Sequence, residues 1–167
     1  MATIDVKTVP ERSVYALRNV GPYGTIGKAF DRVIAHAVAR NGRIRDVFGV
    51  FCDDPGKVPE ADRVSFACVE VDGKPTPSRD IEVRRLPQGL IAEATAKGAY
   101  GGPEATATYR AIYDWIHQGG EYEALDLAPR TPFETACRET YPNDPEETPK
   151  RDLLTVIQIP IRKRTNR

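Results

Sequence analysis

The stretch DPGKVPEAD at residues 54–62, followed by an apolar run at residues 64–71, decides the fold because the chain contains this arrangement twice. It returns as DPEETPKRD at residues 144–152, and an apolar run again follows, at residues 154–161. The Asp, Pro, Pro and Asp of the first copy all recur 90 positions later (144 against 54, 152 against 62). Such self-similarity at a fixed distance indicates a duplicated unit.

A second pair of similar segments lies upstream of these loops. The turn GPYG at residues 21–24 returns as GAYG at residues 98–101. We therefore predict one domain built from two repeats, residues 1–73 and 80–163, with a linker at residues 74–79 that contains two prolines. Two copies of one unit usually face each other, so the boundary between them is the expected place for a ligand cleft.

Local patterns predict the same order of elements in both repeats. Apolar residues at helical spacing predict one helix that ends at Gly42 and a second that begins at Pro103 and ends at Gly119. Alternating or apolar runs predict strands at residues 4–9, 13–20, 47–52, 63–71, 81–86, 90–97, 133–141 and 153–162. The fold class is therefore α+β: duplicated β-α-β-β units that form an antiparallel sheet with two helices.

Composition excludes several classes of protein. Lys+Arg and Asp+Glu both number 24 in the 167 residues, so no net charge attracts nucleic acid, and we expect no direct DNA binding. No apolar run reaches the ~18 residues of a membrane span, and the N-terminus lacks the features of a signal peptide. Three cysteines without C-x-x-C spacing indicate reduced thiols and a cytoplasmic location. Two isolated histidines, His36 and His117, give no reason to expect a metal or cofactor.

Four motifs stand out along the chain: the Gly-Pro-Tyr turn, YRAIYDWI at residues 109–116, ETYPNDPEETP at residues 139–149 and IQIPI at residues 157–161. Together they resemble those of a known family, the GyrI-like (gyrase-inhibitor-like) small-molecule-binding domain. The resemblance extends from the first predicted strand to Arg162. This domain also serves as the effector-binding module of AraC-type and MerR-type multidrug-responsive regulators.

The resemblance implies an aromatic cleft between the repeats, in which an acidic residue faces a cationic ligand. It therefore predicts a stand-alone domain that binds a hydrophobic, planar, possibly cationic small molecule. Two alternatives remain open, because some similar proteins hydrolyse strained cyclopropane rings in alkylating natural products and others bind protein partners such as gyrase. The sequence departs from the family at residues 155–158, where TVIQ lacks the usual acidic residue, and at Phe66, where an aspartate is usual.

Glu139 is the favoured acidic residue of the cleft. It lies two residues before Tyr141 in a predicted strand, so both side chains should share one face of the sheet. A carboxylate beside aromatic rings can pair with a cation, or its pKa can rise until it acts as a general acid or base. In a hydrolase, Glu139 or Glu93 would activate water, and Tyr141 or Trp115 would stabilise the developing oxyanion. A surface glutamate at a strand edge is the alternative interpretation of Glu139.

Five further residues complete the predicted ligand-binding set. Trp115 and Tyr113 offer flat aromatic surface for a planar ligand, although core packing is the alternative for the tyrosine. Tyr100 lies in a glycine-rich loop that can reach the mouth of the cleft. Phe66 would make the floor apolar, and Glu93 is a second candidate carboxylate that has solvent exposure as its alternative.

Overall fold

The computed structural model describes residues 3–165, which form two helices and one antiparallel sheet of nine strands. The helices are α1 (Gly27–Asn41) and α2 (Pro103–Gly119). The strands are β1 (Asp5–Val9), β2 (Arg12–Val20), β3 (Ile44–Phe51), β4 (Val64–Val71), β5 (Glu82–Leu86), β6 (Gly89–Lys97), β7 (Tyr122–Ala124), β8 (Cys137–Thr140) and β9 (Leu154–Lys163). The predicted α+β class is confirmed. No helix within these residues is long and apolar enough to cross a membrane.

The order of the strands joins the two halves of the chain at the centre of the sheet. The order is β1-β6-β9-β8-β3-β4-β2-β5, and β7 pairs separately with β9. Strand β8 of the second half pairs with β3 of the first half over four residues. At the two edges, β1 pairs with β6 and β5 pairs with β2, so each edge strand completes the sheet of the other half.

Each helix packs its small and branched residues on one half of the sheet. In α1 the buried residues are Ala29, Val33 and Ala37, which are four apart and therefore share one face. Gly42 ends α1 with φ of 77°, a conformation that favours glycine. In α2 the buried face lies against alanines of β6 and isoleucines of β9. The small alanine side chains allow the helix to approach the strand closely.

Two details differ from the sequence-based expectation. The strand predicted at residues 133–141 is only Cys137–Thr140, because the amides of Thr135 and Ala136 both donate to the Pro132 carbonyl and form a turn. Strand β7 was not predicted, because three residues are too few to show a period. The cysteines Cys52, Cys68 and Cys137 are all free.

Candidate functional site

Glu139 lies at the middle of the sheet, on the face that carries both helices. Residues that pair directly across neighbouring strands share a face, so the pairing register defines a row of side chains across the sheet. This row consists of Leu17, Ala67, Gly49, Glu139, Ile157 and Ala94. The first two pack with α1 and the last two with α2, so Gly49 and Glu139 occupy the strip between the helices.

Two tyrosine hydroxyls hold the Glu139 carboxylate. Tyr109 of α2 donates to Oε2, and Tyr141 donates to Oε1 at 3.0 Å. Burial raises the pKa of Glu139 above its ordinary value of 4.5, while the two hydrogen bonds oppose that rise. Burial also raises the pKa of Tyr109 and of Tyr141 well above the ordinary value, so both hydroxyls keep their protons and donate. Within residues 3–165, no cationic side chain pairs with this carboxylate.

Two further aromatic rings pack against Tyr141, which holds this carboxylate. The Tyr100 ring lies 4.9 Å from the Tyr141 ring, measured between centroids, and Phe30 of α1 meets Tyr141 edge-on at 5.8 Å. Tyr100 keeps 38% of its surface exposed, so the rings reach solvent at this point. We call these residues the Glu139 cluster: Glu139, Tyr109, Tyr141, Tyr100 and Phe30.

A second buried carboxylate lies close to this cluster. Tyr113, one helical turn beyond Tyr109, donates its hydroxyl to Oδ2 of Asp126. The other carboxylate oxygen, Oδ1, is buried without a hydrogen-bond partner among the described residues. Burial raises the pKa of Asp126, with the hydrogen bond from Tyr113 acting in the opposite direction. Sequence reasoning missed Asp126, since an aspartate in a loop carries no periodic signal.

The structure brings together only part of the predicted site. Tyr141 contacts both Glu139 and Tyr100, and Tyr113 lies one turn along α2 from Tyr109. Trp115 instead stacks on Tyr122, with centroids 6.1 Å apart, because it lies two residues beyond Tyr113 and points away from that side of the helix.

Phe66 and Glu93 do not lie beside Glu139. Their register places them on the opposite, helix-free face, in a row with Val50, Arg138 and Gln158. Phe66 packs edge-on against Phe133 at 5.1 Å. Glu93 accepts from Lys7 at 2.6 Å and from Gln158 at 2.8 Å. The prediction that these two line the same cleft as Glu139 is therefore corrected, because alternation along each strand turns them to the other face.

The sequence and the fold agree with one family of small-molecule-binding proteins. The sequence model of the GyrI-like small molecule binding domain matches residues 2–162, and the chain belongs to this family. No curated protein matches the sequence significantly.

Solved structures share this fold at low sequence identity. The crystal structure of the EcmrR C-terminal domain gives a TM-score of 0.77 at 17% identity and covers 98% of this chain and 99% of that one. The chain spans 58% of EcmrR in its complex with DNA, with a TM-score of 0.78 and 18% identity over 97% of this chain. The structure of SAV2435 bound to tetraphenylphosphonium gives a TM-score of 0.62 at 14% identity and covers 96% of this chain and 94% of that one. The crystal structure of a hydrolase from Listeria innocua gives a TM-score of 0.64 at 13% identity and covers 95% of this chain and 91% of that one.

Proposed function

We propose that this domain binds a hydrophobic, planar cation at the Glu139 cluster, between α1 and α2. The observation that carries the proposal is a largely buried carboxylate that has two neutral donors and no cationic partner. A buried anion without a counter-charge is costly, and a cationic ligand removes that cost. The rings of Tyr100, Tyr141 and Phe30 add flat surface whose electron-rich faces attract a cation.

The class of ligand follows from the chemistry of the cluster. The hydroxyls of Tyr109 and Tyr141 donate to the Glu139 carboxylate and fix its position. A delocalised cation with aromatic groups needs no strong hydrogen bond from this carboxylate, so it does not compete with the two hydroxyls. The fold relative SAV2435 binds tetraphenylphosphonium, a lipophilic cation with four phenyl rings arranged tetrahedrally, so this ion probes the preference for charge and aromatic surface and not the planarity of the ligand.

Titration calorimetry with tetraphenylphosphonium tests the proposal. Glu139→Gln keeps the shape of the side chain and removes its charge, and we expect affinity to fall by about tenfold or more. Glu93→Gln is the matched control, since it removes a carboxylate from the opposite face of the same sheet. The neutral compound triphenylphosphine oxide should bind the wild type more weakly than the cation does. Equal losses in both variants, or no loss in Glu139→Gln, would contradict the proposal.

A second candidate function is the hydrolysis of a strained cyclopropane ring conjugated to a carbonyl group. It is favoured by the 3.0 Å contact between a carboxylate of raised pKa, Glu139, and a protonated phenol, Tyr141. Glu139 would take a proton from water as the water oxygen bonds to the ring carbon and the ring C–C bond breaks. The released electron pair would move to the carbonyl oxygen, which Tyr141 would protonate, and Glu139 would return the proton to Tyr141.

Mass spectrometry distinguishes binding from hydrolysis. Incubation with a cyclopropane-containing alkylating dienone should give a product heavier by one water if the second candidate is correct. That product should be lost in Glu139→Gln and in Tyr141→Phe, whereas Glu93→Gln should retain it. An unchanged compound that nevertheless stabilises the protein against heat would leave binding as the function.

A further inference from the structure

Arg138 is a buried cation on the helix-free face of the sheet. It follows Cys137 in β8 and precedes Glu139, so its side chain points away from the Glu139 cluster. Only 3% of its surface is exposed. Its partners across the neighbouring strands are Val50 in β3 and Gln158 in β9.

The guanidinium of Arg138 is poorly satisfied. Nη2 donates to the Glu134 carbonyl at 3.0 Å, and Nε is buried without any partner among the described residues. An arginine carries five N–H donors, so most of them lack a protein acceptor. Burial, together with the nearby charge of Arg12, lowers the pKa of Arg138 to about 10, which leaves the group charged at neutral pH.

Neighbouring arginines on this face do have acidic partners. Arg12 lies over the Phe48 ring and pairs with Asp46 at 2.9 Å and with Glu70 at 3.0 Å. Because the carboxylates of Asp46 and Glu70 both pair with Arg12, neither serves as the partner of Arg138. The same holds for Glu134, which lies four residues before Arg138.

The carboxylate of Glu134 pairs with another arginine. It lies 3.4 Å from Arg84, while only its backbone carbonyl accepts from Arg138. The chain therefore buries a positive charge without a carboxylate beside it, an arrangement that is costly unless an anion is supplied.

A depression in the surface lies beside this buried arginine. Arg138 lines it together with apolar side chains, among them Val9, Leu125 and Pro160, and with the more polar Thr135 and Glu134. The apolar lining suits a hydrocarbon chain, and the guanidinium fork suits a carboxylate. A doubly charged phosphate is disfavoured because the apolar lining cannot hydrogen-bond its remaining oxygens.

We infer that the Arg138 depression is a second ligand site, for a monocarboxylate that carries a short apolar chain. It lies on the opposite face of the sheet from the Glu139 cluster, so one molecule has room for both ligands. The site does not depend on what binds at Glu139.

NMR titration of the full chain with octanoate tests the site. We expect amide shifts at Gly89, Leu125 and Thr135, which border the depression. The neutral analogue 1-octanol should bind at least about tenfold more weakly, because it lacks the charge that pairs with Arg138. Shifts confined to the Glu139 cluster, equal affinity for both compounds, or tighter binding of inorganic phosphate would overturn the inference.

Two variants separate a binding role from a structural one. Arg138→Met should weaken octanoate binding by about tenfold or more, yet leave the free protein no less stable, because an unpaired buried charge is removed. Leu125→Asn should weaken octanoate binding by making the apolar lining polar without adding a charge beside the guanidinium, and so provides a test if the first variant fails to fold. Arg32→Met, the control, removes an arginine of α1 that pairs with Asp80 and should keep full affinity. Unchanged octanoate binding in Arg138→Met or Leu125→Asn would refute the site.

Discussion

Gly49 lies directly opposite Glu139 in the ladder between β3 and β8, and the absence of a side chain at Gly49 makes room for two aromatic rings. A Cβ atom at this position would lie 2.8 Å from the Phe51 ring and 3.3 Å from the Tyr141 hydroxyl. The hydroxyl that holds Glu139 is therefore positioned partly by a glycine on the neighbouring strand.

We predict that Gly49→Ala displaces Phe51 and Tyr141 and weakens binding of tetraphenylphosphonium. Overpacking of this kind costs about 1–3 kcal/mol of folding free energy, which urea unfolding measures. Gly89→Ala is the control in another strand, since an added Cβ there has no heavy atom within 4 Å. If both variants lost stability equally, the loss would reflect strand glycines in general and not the packing at Gly49.

The raised pKa of Glu139 predicts two opposite pH effects. A carboxyl group with a higher pKa in the folded than in the unfolded protein binds its proton more tightly when folded. The free energy of unfolding therefore increases as the pH falls through the raised pKa towards 4.5, the ordinary value. Cation affinity decreases over the same range, because the carboxyl group becomes neutral.

The Glu139→Gln variant isolates the contribution of Glu139 to the pH dependence of the free energy of unfolding. Burial also raises the pKa of Asp126 and of Asp46, which add to stability with the same sign. The wild type should gain stability relative to Glu139→Gln as the pH falls, while the background from the aspartates cancels. Parallel pH profiles of the two proteins would show that Glu139 titrates as an ordinary exposed glutamate.

The two tyrosine–carboxylate pairs on α2 predict a reciprocal experiment. The Tyr109 hydroxyl lowers the pKa of Glu139 and the Tyr113 hydroxyl lowers that of Asp126. Tyr109→Phe should therefore raise the pKa of Glu139 and leave that of Asp126 nearly constant, and Tyr113→Phe should do the reverse. Carbon-13 NMR of the labelled carboxyl groups follows each titration. A joint shift of both groups in either variant would mean that the pairs act as one coupled system.

Trp115 and Tyr100 form a matched pair for testing which rings bind the ligand. Their exposed fractions are nearly equal, 37% and 38%, but only Tyr100 contacts Tyr141. Tyr100→Ala should weaken tetraphenylphosphonium binding by about fivefold or more. Trp115→Ala should change it by no more than about twofold, as expected for a surface position away from the site. A larger effect at Trp115 would move the aromatic surface of the site to the Tyr122 side of α2.

The sequence was sufficient for both helices, for most strands and for the contact between Glu139 and Tyr141, and insufficient for the two faces of the sheet. Alternation places Glu139 and Tyr141 on one face from spacing alone, and their contact in the structure agrees. Alternation does not reveal which face of a strand meets a helix, so spacing alone does not show that Phe66 and Glu93 lie on the face opposite Glu139. That information is contained in the pairing register, which depends on contacts between distant residues.

The exchange of β1 and β5 between the halves of the sheet makes each half depend on a strand from the other. Strand β1 leaves its own half to pair with β6, and β5 crosses in the other direction to pair with β2. A polypeptide cut in the connection between β4 and β5 would yield two fragments, and each would carry an edge strand that only the other can use. Neither fragment could finish its sheet alone, so the two would recover the native structure only by reassociating with one another.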